Sequence, residues 1–192
     1  NPKLRRIFVD NANETLRWLM SMGVEFFGPM PEPPHRKPRM HNVLPNSRAY
    51  IHHLGKHAAK IGVEIRCNSR ANKFLLEDDR VIGARCEMPR GITEVHAKSI
   101  VLASGDYAAN RELKAKYISP EVSLVDAMNP NATGDGHEIS FPLGARVING
   151  DVLSGPTLRF IPPPRKSIDR MLPPTKIVTK FMRFALKYMP DR

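Results

Sequence analysis

Cysteine is scarce: Cys67 and Cys86 are the only two among 192 residues, and no C-x-x-C pair occurs. This spacing argues against a zinc ribbon or a dithiol redox centre. Both thiols read as small apolar residues in a reduced, cytoplasmic setting, with no secretory leader ahead of them. Long apolar runs are also missing, and the longest is far too short to span a bilayer, so no transmembrane segment is expected. No internal repeat and no low-complexity tract is present. Acidic residues are outnumbered, with 19 Asp and Glu against 30 Lys and Arg, for a formal charge of +11. Clustered cations attract phosphates, which puts a basic nucleic-acid binder among the classes to weigh. Yet Arg5, Arg6, Arg17, Lys56, Lys60, Lys114 and Lys116 fall on predicted amphipathic helices, where a solvated face explains them. No nucleic-acid motif with interleaved aromatics accompanies them, and no nucleic-acid partner is expected.

Proline, by contrast, is plentiful and uneven. One group lies between Pro29 and Pro45; another comprises Pro162, Pro163, Pro164, Pro173 and Pro174. Such stretches do not sit inside helices or central strands, so they predict an irregular connection and a domain boundary near residue 161. Before the first group, Pro2 opens a helix with Leu4, Ile7 and Phe8 on one face. Asn11 or Asn13 then caps a second carrying Leu16, Leu19 and Met20, which Gly23 ends. After it, Ser47 caps a helix in which Tyr50, Leu54, Ala58 and Ile61 recur at helical spacing until Gly62. Strands are predicted at Val63 to Cys67 and Ala71 to Glu77. Asp78-Asp79 is a turn signal; Ile82, Ala84, Cys86 and Met88 alternate as in a half-buried strand, and Pro89-Arg-Gly91 turns the chain into Ile92 to Ala97.

The most informative stretch follows. Ile100 to Ala103 are four apolar residues in a row, the pattern of a strand covered on both faces, and Ser104-Gly105 carry too little side chain to keep a ligand from the backbone. Open α/β sheets bind cofactors at such places. A second small-residue segment, Thr133-Gly134-Asp135-Gly136, comes shortly afterwards and reads as a loop and helix start. Asp135 there suits either a ligand hydroxyl or the amides of its own helix.

Taken in order, Asn1-Pro-Lys-Leu, Glu14 to Phe26, Gly62 to Arg70, Ile100 to Asn110 and Asn129 to Gly136 resemble consecutive landmarks of the fumarate reductase / succinate dehydrogenase flavoprotein family, in particular the branch with 3-ketosteroid dehydrogenases. The resemblance spans roughly residues 1 to 160. It implies an α/β fold: a partial FAD-binding Rossmann-like domain of the two-dinucleotide-binding type, with an antiparallel β-meander. The family's amino-terminal G-x-G-x-x-G fingerprint is found nowhere in this sequence, so an interior piece of a larger flavoenzyme is expected. Residues 1–160 would then be the partial FAD-binding domain, and 161–192 the Pro-rich connection and amphipathic helix opening a substrate-capping domain.

The cofactor implied is FAD. By the same resemblance Asp135 contacts it, Thr133, Gly134 and Gly136 bring backbone amides close to it, Ala103, Ser104 and Gly105 line its other side, and Ala71 meets its adenine end through the backbone. The family's second glycine is replaced here by Asp106, which puts a negative charge near a phosphate-rich ligand. Where the fumarate-reducing branch has His-Pro-Thr, this chain reads Gly155-Pro156-Thr157, nearer to the steroid-dehydrogenase-like members. The family's proton-transfer groups lie past Arg192, and no catalytic residue is assigned.

His53 and His57 share a helix face, but no glutamate follows His53 as H-E-x-x-H requires and no third ligand is apparent, so a solvated or partner-bonded pair rather than a metal site is expected. His137 reads as a surface helix residue. Thr175 to Met189 alternates basic and apolar residues, a helix expected to pack beneath a capping domain rather than lie on a membrane. The expected protein is thus an FAD-dependent oxidoreductase acting on a small-molecule substrate together with the remainder of its parent enzyme. The rival classes are a non-enzymatic interaction module and a basic nucleic-acid binder.

Overall fold

The computed structural model describes residues 1–32, 36–153 and 168–188. The chain divides into two compact units, one of Asn1–Ile65 with Phe160–Arg192 and the other of Arg66–Arg159.

The first unit begins with α1 (Pro2–Ser21), a single helix where two were expected. Asn1 caps it, its side chain accepting from the amides of Lys3 and Leu4. Asn11 starts no new helix because it is absorbed into this one: its Nδ2 donates to the Ile7 carbonyl, and the Thr15 hydroxyl donates to the carbonyl of Asn11. Most apolar residues of α1 are exposed, Phe8 by 75% and Trp18 by 56%, while Leu16 and Leu19 are half-buried.

The first proline-rich stretch is more regular than expected. It contains β1 (Glu25–Met30) and β2 (Met40–Leu44), paired antiparallel. Pro29 is tolerated because the register shifts between Phe27 and Met30 and leaves it without a ladder partner, the position a residue lacking an N–H can fill. Then α2 (Arg48–Lys60) starts after Ser47 as expected, although the Ser47 side chain makes no capping bond and the Asn46 side chain accepts from the Arg48 amide instead.

Among the described residues of this unit, Val24, Leu44, Pro45 and Ala49 are buried apolar side chains. Onto β1 comes the carboxy-terminal helix: after α6 (Ile168–Met171), α7 (Lys176–Tyr188) buries Thr179, while Arg183 donates to the Glu25 carboxylate and the Phe26 carbonyl. The predicted strand Val63–Cys67 does not form, and Val63 and Ile65 are exposed.

The second unit contains the meander, as the alternation pattern and turn signals implied. β3 (Arg70–Glu77), β4 (Arg80–Met88) and β5 (Gly91–His96) form one antiparallel sheet in sequence order. The Asp78-Asp79 turn takes positive φ at both residues, the geometry that suits a two-residue hairpin. Inside it, Gly83 is buried between strands, and Phe74 is the buried aromatic of the sheet.

Beyond the meander, Ile100–Ala103 forms no strand. Val101 is 88% exposed, so the covered strand expected there is corrected. Its pattern asks for hydrogen-bonded neighbours on both sides, and no described strand pairs with it. The chain continues through α3 (Arg111–Tyr117), α4 (Pro120–Ser123), α5 (Asp135–Ser140) and a 3-10 turn at Phe141–Leu143.

Leu113 and Ala132 are buried, and so is Lys114. Its ammonium donates to the Val125 carbonyl, so it does not belong to the solvated helix face predicted for it. The mixed α/β class holds, with every strand pair antiparallel among the described residues. None of their helices is long and apolar enough to cross a membrane.

Candidate functional site

The site is built in the second unit, around α5. Gly134 caps this helix in the left-handed region, φ 78°, where a β-carbon would stand 2.8 Å from Leu113 Cδ1 and 2.9 Å from Tyr107 Cβ. Gly136 faces Ser104, and a β-carbon there would collide with the Ser104 hydroxyl. Both glycines therefore serve close packing of the turn onto the Ser104–Tyr107 loop. Gly105 differs: its φ is +85° and nothing lies within 4 Å of where a β-carbon would be, so its backbone is open to approach.

The turn is tied down on every side. Asn110, which caps α3 by accepting from the Leu113 amide, also donates from Nδ2 to the Thr133 carbonyl and the Glu138 carboxylate, both at 2.9 Å. The Ala109 amide donates to the Ala132 carbonyl. Asp106 stands where a bare charge was expected, but its Oδ1 accepts from the Ala108 amide at 2.7 Å. The loop's own backbone thus takes up part of that charge.

Asp135 is the polar centre. Its Oδ1 accepts from Thr133 Oγ1 at 2.7 Å, and Arg70, at the start of β3, forks onto both oxygens at 2.8 and 3.1 Å. The hydrogen bonds from Arg70 and then Thr133 hold its carboxyl below the usual carboxylate range, against the opposing effect of burial. A depressed native pKa contributes stability that is complete above the unfolded value of about 3.9 and is lost as pH falls through the native one. Because the Arg70 side chain is 65% exposed, the contribution is small, about 1 kcal/mol at most. In urea melts D135N is expected to lose that much at neutral pH, and the gap should close as pH falls through the native Asp135 pKa. A gap that persists in acid would show that the ion pair is not its source.

Two cavities flank α5 on opposite faces. One, about 600 Å³, is lined by Arg70, Ala71, Lys73, Phe74 and Glu87 from the meander and by Asp135, Glu138 and Ile139. The other, about 300 Å³, is lined by Ala103, Ser104, Gly105, Gly136, His137, Ser140 and Arg146. The structure thus brings Ala71 and Asp135 to one side of the helix and Ala103, Ser104, Gly105 and Gly136 to the other. Thr133 and Gly134 form the turn from which α5 springs. The two glycine-containing loops touch where Gly136 meets Ser104, but Asp135 and the Ser104-Gly105 backbone open onto different cavities rather than onto one groove.

Sequence reasoning missed three contributors. Arg70 pairs across 65 residues, which no local pattern signals. Asn110 was legible as a cap before Arg-Glu-Leu, but its reach to Thr133 and Glu138 was not. Tyr107 donates to the Gly150 carbonyl at 2.8 Å, and its pKa is raised by burial and by Tyr117, Asp151 and Asp106 nearby. Against it packs His137, half-buried with ring centroids 5.2 Å apart and edge to face, so it is not the surface residue expected; its Nδ1 is buried without a hydrogen-bond partner among the described residues.

In the first unit, His53 lies beneath Gly23 and has a lowered pKa, from burial first and then from His52. Among the described residues no group of His, Cys, Asp and Glu is arranged to hold a metal ion. Ser154 to Thr157 lies outside the described residues.

Comparison with known proteins adds the following. Residues 1–166 match the family model described as FAD binding domain. An NADH:fumarate oxidoreductase of Klebsiella pneumoniae is 28% identical over 82% of this chain and 18% of its own length. A probable fumarate reductase of Shewanella frigidimarina is 31% identical over 81% of this chain and 28% of its own length. The chain therefore spans under a third of either relative. Among solved structures, a 3-ketosteroid-Δ4-(5α)-dehydrogenase from Rhodococcus jostii RHA1, 19% identical, shares the fold with a TM-score of 0.64 over 75% of this chain and 37% of that one.

Proposed function

Because this chain belongs to the FAD binding domain family, we propose that it is the cofactor-binding part of a longer FAD-dependent oxidoreductase. The proposed reaction moves hydride between flavin and a carbon next to a carbonyl or carboxylate, forming or saturating a C=C bond. The observation that carries this reading is the packing of the Ser104-Gly105 loop against the Thr133–Gly136 turn, with Gly136 in contact with Ser104.

The residues present fit a polar cofactor. Gly105 offers open backbone, and Asp135 offers a hydrogen-bond acceptor to hydroxyls. Ala71, Ala103, Ser104, Thr133, Gly134 and Gly136 complete the proposed set. FAD, when bound, supplies the hydride chemistry; the protein binds and orients. This chain's own part is to hold the Thr133-Asp135 turn rigid through Asn110 and to keep the Asp135 carboxylate ionised. No proton-transfer role is assigned within it. In this reading 1–160 carries the cofactor site and 161–192 leads into a substrate-capping domain.

For substrate, we propose an enone such as a 3-ketosteroid ahead of fumarate, because Gly155 stands where a carboxylate-binding His would be and glycine has no side chain to donate a hydrogen bond. The test uses the intact parent enzyme. Its flavin, chemically reduced, should be reoxidised by a 3-keto enone, or in the opposite direction the oxidised flavin should be bleached by the saturated ketone, each faster than with fumarate or succinate. Absence of flavin turnover with all four compounds would sink the reading.

A second expectation concerns this 192-residue chain by itself. It should purify colourless, retaining little FAD, because the glycine-rich cradle that places a diphosphate on a helix N-terminus is missing from its sequence. Visible flavin absorbance at one equivalent per chain would contradict this.

A further inference from the structure

The Asp135 carboxylate is largely engaged before any ligand arrives. Oδ1 accepts from Thr133 at 2.7 Å and from Arg70 Nη2 at 3.1 Å, and Oδ2 accepts from Arg70 Nε at 2.8 Å. An ionised carboxylate has about four acceptor positions. Three are filled, and the one left open is on Oδ2. A ligand meeting Asp135 must therefore bring a donor, a hydroxyl or an N–H, and must bring it to that oxygen.

Resting on the flavin reading above, we propose that Arg70 is a positioning residue for the cofactor site: its two-pronged grip sets the Asp135 carboxylate so that Oδ2 faces a hydroxyl of the bound cofactor. The guanidinium fork is suited to this because it fixes both oxygens in one plane, which a lysine ammonium does not. Stability is a poor explanation for the pair, since an ion pair with one partner 65% exposed contributes little to folding. Orientation is what it provides, by joining the first residue of β3 to the first residue of α5.

The charged groups around the pair sharpen the role. Glu138 faces the same cavity from α5, Glu87 from β4 and Lys73 from β3. Asn110 donates to Glu138 and Asn72 donates to Glu87, so both acids are held in place nearby. Without the guanidinium, Asp135 would share the cavity with two carboxylates, and protonation would become easier. Only the ionised form is a pure acceptor, so cofactor affinity should fall as pH drops through the Asp135 pKa, and should begin to fall at higher pH once Arg70 is removed.

The test measures FAD dissociation constants of the intact apo-enzyme across acidic to neutral pH for the wild type, R70Q, R70K and D135N, with apo-protein melting temperatures alongside. R70Q is expected to bind FAD about tenfold more weakly at neutral pH, with its acid limb moved upward. R70K should restore part of the neutral-pH affinity, and the apo melting temperatures of R70Q and R70K should stay near that of the wild type. Wild-type affinity and an unmoved acid limb in R70Q, with D135N weakened, would overturn the role of Arg70 while leaving Asp135 in the site. Unchanged binding in D135N as well would overturn the reading of Asp135 itself. Should R70Q not fold, R70K decides alone: affinity and acid limb both equal to the wild type would count against the proposal, and a shift in either would support it.

Discussion

Gly134→Ala is expected to destabilise the Arg66–Arg159 unit by roughly 2–5 kcal/mol, in two parts. A non-glycine residue in the left-handed region costs about 1–2 kcal/mol. The added methyl would also stand 2.8 Å from Leu113 Cδ1 and 2.9 Å from Tyr107 Cβ. Leu113 Cδ1 ends a side chain that turns with some freedom. Tyr107 Cβ is fixed to the backbone, and its ring is held by the hydroxyl's bond to the Gly150 carbonyl. Relief therefore requires moving the Asp106–Asn110 loop, an overpacking cost of about 1–3 kcal/mol.

Gly144 separates the two parts. It has nearly the same φ, +81°, but open space where a β-carbon would go. Gly144→Ala should therefore show the conformational cost alone, about 1–2 kcal/mol. Thermal melts followed by circular dichroism check the pair, and Gly134→Ala should lower the midpoint by at least about 10 °C. Equal losses in the two variants would mean that the contact with Tyr107 is relieved for free, and that Gly134 does not hold the two loops together.

The second large effect lies in the meander. At Gly83, which pairs with Leu75 on one side and His96 on the other, a β-carbon would overlap the Val95 carbonyl and stand 3.1 Å from His96 Cα and 3.1 Å from Leu75 Cδ1. Two of these three neighbours are backbone and cannot turn aside. Gly83→Ala should push β5 off β4 and cost about 3 kcal/mol or more. Once β5 is lost, what remains is a two-stranded ribbon, which is marginal in water.

Hydrogen exchange reads this directly. The Ala97 amide, which donates to the Ile82 carbonyl at 2.9 Å, should lose protection together with the amides of β5. Retention of that protection, with stability within about 1 kcal/mol of the wild type, would show that the sheet absorbs the methyl and that glycine is not required there. Since Arg70 and Ala71 begin β3 in the same sheet, the variant should also loosen the anchor of Asp135.

How the site could be seen from sequence depends on the range of each interaction. Thr133-Gly134-Asp135-Gly136 announced a helix start with small residues around it, and the structure has that start, with Gly134 in the left-handed region. Ser104-Gly105 announced accessible backbone, and Gly105 is open. The division of the site by α5 was not visible, because two loops of small residues carry no mark of the helix face onto which each will open. Arg70 was read only as the end of a landmark. Its partner is chosen by where β3 and α5 lie in space.

What the amino-acid order determined by itself was local. The meander follows from alternation and from Asp78-Asp79, whose side chains tolerate positive φ. The caps follow from Asn1, Asn110 and Ser119, whose oxygens reach amides two or three positions on. The serial landmarks likewise carried the family and its cofactor.

Tertiary structure alone decided the rest. Lys114 is buried because a carbonyl at Val125 receives it. Ile100–Ala103 stays unpaired, although its apolar run calls for a covered strand, because a strand is completed by neighbours that the segment itself cannot supply. The physical reason is common to both. Turns and caps are settled by atoms a few bonds apart, whereas burial, pairing and the orientation of Asp135 depend on partners that only folding brings within reach.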